Sequence, residues 1–165
     1  LLANEKEAFK QETRSSGIMD TKTLLVTGGA GFIGTNFIRY VLEEMENWRV
    51  VNLDSLTYAG NLANFEDLTP EQAGRHRFIH GAIEDGVLLD RLFTEETIDG
   101  VVHFAAESHV DRSILKPEAF IETNIVGTFR LLEASLSQWQ SRGKPKDFCF
   151  LHISTDEVYG SLGAE

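Results

Sequence analysis

The sequence predicts an α/β fold, a doubly wound parallel sheet with helices on both faces. Three observations predict it. Five short runs are apolar without strict alternation, as strands buried on both faces are. Stretches with helical periodicity separate most of these runs. The first run ends in a cluster of glycines that opens the first helix.

The elements follow in order. Thr23 to Thr27 reads as a buried strand, and Ile33, Phe37 and Val41, with Ile38, Leu42 and Met45, fall at helical spacing. Arg49 to Asp54 is the second strand, and residues up to Leu68 are polar and turn-rich, with at most a short helix. Arg77 to His80 is a short third strand. Val87 to Thr94 is helical, because Leu88/Leu92 and Leu89/Phe93 are paired four apart. Gly100 to Ala105 is the fourth strand. Pro117 suits the first turn of a helix that runs to about Gln140. Phe148 to Ser154 is the fifth strand, and Cys149, the single cysteine, is expected to be buried in it.

The 165 residues are 42% hydrophobic and 25% charged, enough for one compact domain with its own core. No apolar run approaches the length of a bilayer span, and the polar first twenty residues lack the core of a signal peptide. The expectation is a cytoplasmic protein. Residues 1–20 read as a short polar helix (Asn4 to Thr13) and a Ser15-Ser16-Gly17 break, an N-terminal arm or an added remnant, with Met19 near a natural start. Residues 21–165 form the domain. The net charge of −11 argues against nucleic acid and anionic membrane as partners. An anionic ligand must therefore be held by backbone amides, helix ends or a few chosen cations. The five histidines form no metal-like pattern, and no metal is expected.

The glycine cluster meets that requirement. It reads Thr27-Gly28-Gly29-Ala30-Gly31-Phe32-Ile33-Gly34, and two registers fit, Gly29-x-Gly31-x-x-Gly34 and Gly28-x-x-Gly31-x-x-Gly34. The first glycine allows a tight turn out of the strand, the middle one lets backbone approach a pyrophosphate, and the last lets helix pack on sheet. The helix start then aims unpaired amides at the phosphates. Asp54 closes the second strand twenty residues after Gly34. A carboxylate there accepts hydrogen bonds from the adenosine ribose and repels a 2'-phosphate, which favours NAD over NADP. The fold is thus expected to be Rossmann-like.

Four further segments extend this reading. They are Ser55-Leu56-Thr57-Tyr58-Ala59-Gly60-Asn61, the run from His103 to Ser113 (HFAAESHVDRS), Phe120 to Thr128 (FIETNIVGT), and His152 to Gly160 (HISTDEVYG). Together with the glycine turn they closely resemble the dTDP-glucose 4,6-dehydratase family, part of the extended short-chain dehydrogenases/reductases. The resemblance covers about Thr23 to Gly163. It implies a lyase that oxidises the C4 hydroxyl of a nucleotide-linked glucose with NAD, removes water across C5 and C6, and returns hydride to C6. By the resemblance, Thr155 positions the C4 hydroxyl, Asp156 protonates the departing C6 hydroxyl and Glu157 takes the C5 proton. The pairing is chemically sensible, since loss of water from adjacent carbons needs an acid and a base, and neighbouring carboxyls favour one keeping its proton. The resemblance also places Gly28, Gly31, Phe32, Ile33, Gly34, Asp54, Ser55, Leu56, Thr57, Ala59, Gly60, Ala82, Ile83, Phe104, Ala105, Ala106, Ser108 and Thr123 at the cofactor. Ser108 and Thr155 lie toward the sugar. It implies a homodimer, with the helix after Pro117 in the interface.

Two departures from the family pattern stand out. Ala82 precedes Ile83 where an acidic residue often meets the adenine amino group. The Tyr-x-x-x-Lys pair that the family uses to deprotonate the C4 hydroxyl does not occur before Glu165; Tyr159 is followed four residues on by Gly163. The expectation is an NAD-binding domain truncated before its substrate domain and inactive alone. Alternatives are a nucleotide-sugar epimerase or decarboxylase of the same superfamily, which lacks the need for the Asp156-Glu157 pair, and a truncated NAD-binding module without catalysis. Thymidine and uridine nucleotides are not distinguished.

Overall fold

A computed structural model of the chain describes residues 21–160. The expected helix over Asn4 to Thr13 lies outside the described residues. Eleven helices and strands follow one another: β1 (Lys22–Thr27), α1 (Phe32–Glu44), β2 (Trp48–Asp54), α2 (Pro70–Arg75), β3 (His76–His80), α3 (Gly86–Glu95), β4 (Gly100–His103), α4 (Val110–Leu115), α5 (Pro117–Phe120), α6 (Thr128–Ser141) and β5 (Cys149–His152). Short 3-10 turns occupy Leu62–Phe65 and Asp156–Tyr159, and a π-helical segment, Ile121–Gly127, joins α5 to α6.

All five strands pair in parallel in the order β3-β2-β1-β4-β5. The order reverses between β1 and β4, which makes this sheet doubly wound and Rossmann-like, as the sequence predicts. The apolar strands divide by residue parity. Leu24, Val26, Val50 and Val102 pack with Ile38, Val41 and Leu42 of α1. Leu25, Val51, Leu53 and Val101 pack on the other face with Leu89, Leu92 and Phe93 of α3 and Leu131 and Ala134 of α6. Two buried faces per strand explain why the runs do not alternate.

Several helix ends are settled by local chemistry. Asp85 accepts from Leu88 N (3.0 Å) and caps α3. Thr69 and Gln72 form a reciprocal capping box with Pro70 at the first position of α2, a helix that the periodicity reading passes over but whose Thr-Pro-x-Gln start is a recognisable signal. Arg75 then donates to Leu42 O, and at 3.0 Å to both Met45 O and Trp48 O, satisfying carbonyls at the end of α1 and the start of β2.

Three expectations change. The helix from Pro117 is not uniform, because its second segment widens into the π-helix. β4 ends at His103, two residues early, and its continuation becomes a loop that α4 follows. Cys149 lies in a strand but is exposed. Among the described residues β5 is the last strand of the sheet; Phe150 packs against the core, and the rest of its pattern is exposed. Among the described residues no helix is long and apolar enough to cross a membrane.

Leu25 is fully buried in the central strand whereas Val87 is 82% exposed. Leu25→Ala is expected to cost about 2–5 kcal/mol of unfolding free energy, and Val87→Ala under about 0.5 kcal/mol, measured by urea denaturation.

Candidate functional site

A parallel sheet delivers the ends of all its strands to one edge, and the predicted site residues follow the carboxyl ends of β1 to β5. At the reversal of strand order, the turn after β1 meets the loop after β4. Gly28 has a φ of +68°, and a Cβ there would stand 2.6 Å from Ala105 N and 2.8 Å from Phe104 C. Only a glycine allows this backbone-to-backbone approach. Gly34 packs as closely, since its Cβ would meet Gly28 O and lie 2.7 Å from Gly29 Cα. Gly31 differs. A Cβ there would meet only Gly28 O, at 3.4 Å, so its open side faces no protein atom nearby. Gly28 and Gly34 both lack room for a Cβ while Gly31 has it, and both glycine registers share Gly31 and Gly34. Gly29 is also pinned, against Ile38 and Asn52.

Gly31 is the N-cap of α1, with no side-chain cap and no acidic residue in the first turn. The first amides of a 13-residue helix therefore point at the open side of the turn with a partial positive charge. Phe32 and Ile33 are exposed beside it.

Asp54 ties this turn to the loop after β2. Its Oδ2 accepts from Ala30 N (2.9 Å) and its Oδ1 from Leu56 N (2.7 Å). The carboxylate is buried, yet each oxygen retains a lone pair beyond those bonds. Leu56 takes a φ of +50°, and a Cβ on Gly60 would come within 3.0 Å of Asp54 Oδ1. Asn61, which sequence reasoning does not single out for the site, donates from its backbone N to Ala30 O (3.0 Å). The segment Asp54 to Asn61 is therefore folded back onto the glycine turn, with Ser55, Thr57 and Ala59 exposed on it.

The other predicted residues sit around this centre. Phe104 leans toward α1, its ring 5.4 Å from that of Phe37. Ala105 packs against the opposite core cluster, while Ala106 and Ser108 are exposed. Ala82 is half-buried. The Ile83 side chain is buried against Gly127 and belongs to the core rather than to an open surface. Thr123 lies half-buried in the π-helical segment, and Thr155 is exposed just after β5. Asp156 and Glu157 begin the 3-10 turn that follows; their side chains lie outside the description.

A polar row that no motif announces runs beneath this edge. Strand register places Thr27 beside His103 and His103 beside His152. Thr27 Oγ1 lies 2.7 Å from His103 Nδ1, and Thr128 Oγ1 of α6 lies 2.9 Å from His103 Nε2. The Thr27 hydroxyl also receives Ala105 N (3.4 Å), so it joins the His103 ring to the start of the loop after β4. The His103 and His152 rings are 4.7 Å apart. Burial, and then the neighbouring His152, hold His103 down to about 4 from the ordinary 6.5, so it is a neutral structural tie. The signal was present in sequence only as register, because Thr27 and His103 each end a strand. Among the described residues no group of three or more His, Cys, Asp and Glu is placed to hold a metal ion.

A profile of the GDP-mannose 4,6 dehydratase family matches residues 25–165. The chain belongs to this family. Within it, the chain is 52% identical over 141 residues to a dTDP-glucose 4,6-dehydratase of Shigella flexneri, covering 84% of this chain and 38% of that protein. It is 56% identical over 144 residues to a dTDP-glucose 4,6-dehydratase of Xanthomonas campestris pv. campestris strain B100, covering 86% and 40%. The crystal structure of a dTDP-glucose 4,6-dehydratase from Streptomyces venezuelae with NAD bound superposes with a TM-score of 0.69 at 45% identity, over 87% of this chain and 42% of that one. The chain thus spans about two fifths of the length of these family members.

His103 makes stability depend on pH. Below the unfolded value of about 6.5 the unfolded chain gains a proton that the folded chain refuses until about pH 4. Stability is expected to be full above about pH 7 and to fall through this window, by on the order of 3 kcal/mol from this residue. His76, also lowered by burial, acts in the same direction. Denaturant unfolding at stepped pH should show a shallower slope for His103→Gln than for the native chain.

Proposed function

We propose that this chain is the NAD-binding part of a nucleotide-sugar 4,6-dehydratase, converting dTDP-glucose to the 4-keto-6-deoxy sugar nucleotide. The observation that carries the proposal is the open side of Gly31, facing the uncapped start of α1 where the strand order reverses. An acidic chain has built an anion site from backbone amides alone, and a dinucleotide pyrophosphate fits it. Gly28, Gly31, Phe32, Ile33 and Gly34 surround the pyrophosphate. Asp54 offers its remaining lone pairs to the adenosine ribose, while Ser55, Leu56, Thr57, Ala59 and Gly60 form the wall beside it. Ala82 and the backbone of Ile83, whose side chain is in the core, lie toward the adenine, where Ala82 supplies no carboxylate. Phe104, Ala105, Ala106, Ser108 and Thr123 line the nicotinamide side. The names and bound NAD of the relatives support the same assignment.

NAD, when bound, supplies hydride acceptance from C4 and its return to C6. Thr155 orients the C4 hydroxyl, and Ser108 lies toward the sugar. Once C4 is a ketone, the C5 proton is acidic, Glu157 removes it, and Asp156 gives a proton to the C6 hydroxyl that departs as water. The sequence Thr155-Asp156-Glu157 directly after β5 favours this dehydration over epimerisation, which needs no such acid–base pair. The protein acts in the cytoplasm as a homodimer. Ile121, Ile125, Phe129, Leu132 and Leu136 recur at helical spacing and are all exposed, an apolar stripe that a second copy would cover.

Calorimetry on the chain tests the cofactor. NAD is expected to bind at least about tenfold tighter than NADP, because Asp54 opposes a 2'-phosphate. Equal affinity would contradict the role given to Asp54. In the complete protein, Glu157→Gln and Asp156→Asn are expected to cut product formation by about a hundred- to ten-thousand-fold. Single-turnover oxidation of the C4 hydroxyl, read from nicotinamide absorbance, should stay near the native rate. Thr155→Val should slow the oxidation itself. If Glu157→Gln lost oxidation and product equally with binding intact, Glu157 would not be the C5 base.

A further inference from the structure

Asn52 is a fully buried polar residue inside the apolar run of β2. It shares a strand face with Val50, which packs under α1. A buried amide in such a place costs free energy unless its polar atoms are used. One end is used by the neighbouring strand, since Nδ2 lies 3.3 Å from Nε2 of His76 in β3. Among the described residues no hydrogen-bond donor reaches the other end, Oδ1. That oxygen faces the glycine turn instead. A Cβ on Gly29 would overlap Oδ1 and lie 2.7 Å from Asn52 Cγ, so the Gly29 Cα–H in that direction points at the oxygen. This is the arrangement of a weak Cα–H···O bond.

The same turn is held from its other sides. Gly29 O accepts from Thr35 Oγ1 at 3.1 Å, and the next amide, Ala30 N, is bound by Asp54. Asn52 and Asp54, two residues apart on β2, therefore both seat the turn that leads into Gly31 and the start of α1.

His76 decides which way the Asn52 amide faces. An imidazole nitrogen accepts a hydrogen bond only when it bears no proton. The His76 ring lies against Phe65, the centroids 4.4 Å apart, and burial lowers its pKa from the ordinary 6.5. Nε2 of the neutral ring accepts from Asn52 Nδ2, which turns Oδ1 to Gly29. The charged groups on the elements around His76 have other partners or face solvent. Arg49 and Arg77 pair with Glu96, Asp54 with two amides, Arg75 with three carbonyls and Asp67 with Arg39. His80 lies 3.2 Å from Ser55 O, and Glu66 and Glu71 are exposed.

We propose that Asn52 and His76 are positioning residues for the phosphate turn: His76 orients the Asn52 amide, and the amide oxygen seats Gly29 beneath the anion site. The inference rests on reading the crevice as an NAD site. A proton on His76 makes Nε2 a donor, and the amide must then turn over. Its NH2 group is set against Gly29, and the seat is lost. NAD binding therefore favours unprotonated His76, and acidification weakens binding because the free chain then holds a proton that binding must release.

The test is calorimetric NAD binding on the chain from about pH 7.5 to about pH 5, beside nitrogen NMR of His76 without cofactor. His76→Gln supplies an acceptor that does not titrate. Its affinity is expected to match the native chain at the neutral end and to exceed it by roughly threefold at the acid end. Asn52→Val removes both polar ends of the amide and is expected to bind NAD roughly threefold more weakly at the neutral end. His103 and the other titrating groups are common to these proteins and cancel in the ratios. A general loss of stability would not give a pH-dependent ratio that glutamine restores. A ratio of native to His76→Gln affinity that stays constant with pH, or native-like affinity in Asn52→Val, would overturn the proposal. The NMR signals of the native chain should show His76 protonated on Nδ1 at neutral pH. A proton on Nε2 would mean that Asn52 gives its oxygen to His76, and would overturn the seat however the variants fold. Failure of the native chain to bind NAD would overturn the underlying reading instead.

Discussion

The approach of Gly28 to the backbone of Ala105 is the contact on which the site depends. Parallel pairing brings β1 and β4 side by side, and the winding reverses between them. The chains leaving the two strands would ordinarily be held apart by a side chain. A positive φ and the missing Cβ at Gly28 remove that separation, so the turn lies directly on the β4 loop. From this contact follows the closeness of the Phe104–Ala105 backbone to the turn. Gly34 extends the same logic by letting α1 settle onto the turn that precedes it.

Electrostatics complete what this packing begins. The chain has a net charge of −11, so a general attraction for anions is absent. Uncapped amides at the start of α1 provide a local, directional substitute. The carboxylate of Asp54 lies close to them without cancelling the site, because each oxygen is bound to an amide outside the helix start, at Ala30 and at Leu56. One residue thereby fixes the geometry of two loops and still presents acceptors at the edge of the crevice. Its two backbone bonds set where those remaining acceptors lie.

Legibility differed by the range of the interaction. β1, β2, β3, α1 and α3 fall within a residue or two of their expected spans, because burial on one or both faces imprints a period on the sequence. The α2 helix is set by a capping box and a proline rather than by periodicity, and α4 is a six-residue helix within a loop, too short for a clear period. Cys149 shows the opposite error. Its apolar neighbours Phe148 and Phe150 pack against the core, whereas Cys149 lies between them on the strand and is exposed among the described residues.

The sequence by itself determined the α/β class, the glycine turn, the acidic end of β2 and the Thr155-Asp156-Glu157 segment, since each is written within a few consecutive residues. Tertiary structure alone decided what stands opposite each missing side chain of Gly28, Gly29 and Gly31. It alone joined Thr27, His103 and Thr128, which lie far apart in the chain and meet through strand register and helix packing. It alone turned Asn124 toward Glu107, because the widened helical turn that redirects the side chain leaves no mark on the periodicity around it. Local patterns report the forces that act between neighbours in sequence. Contacts made across the sheet edge depend on where the whole chain brings its loops, and no short segment encodes that.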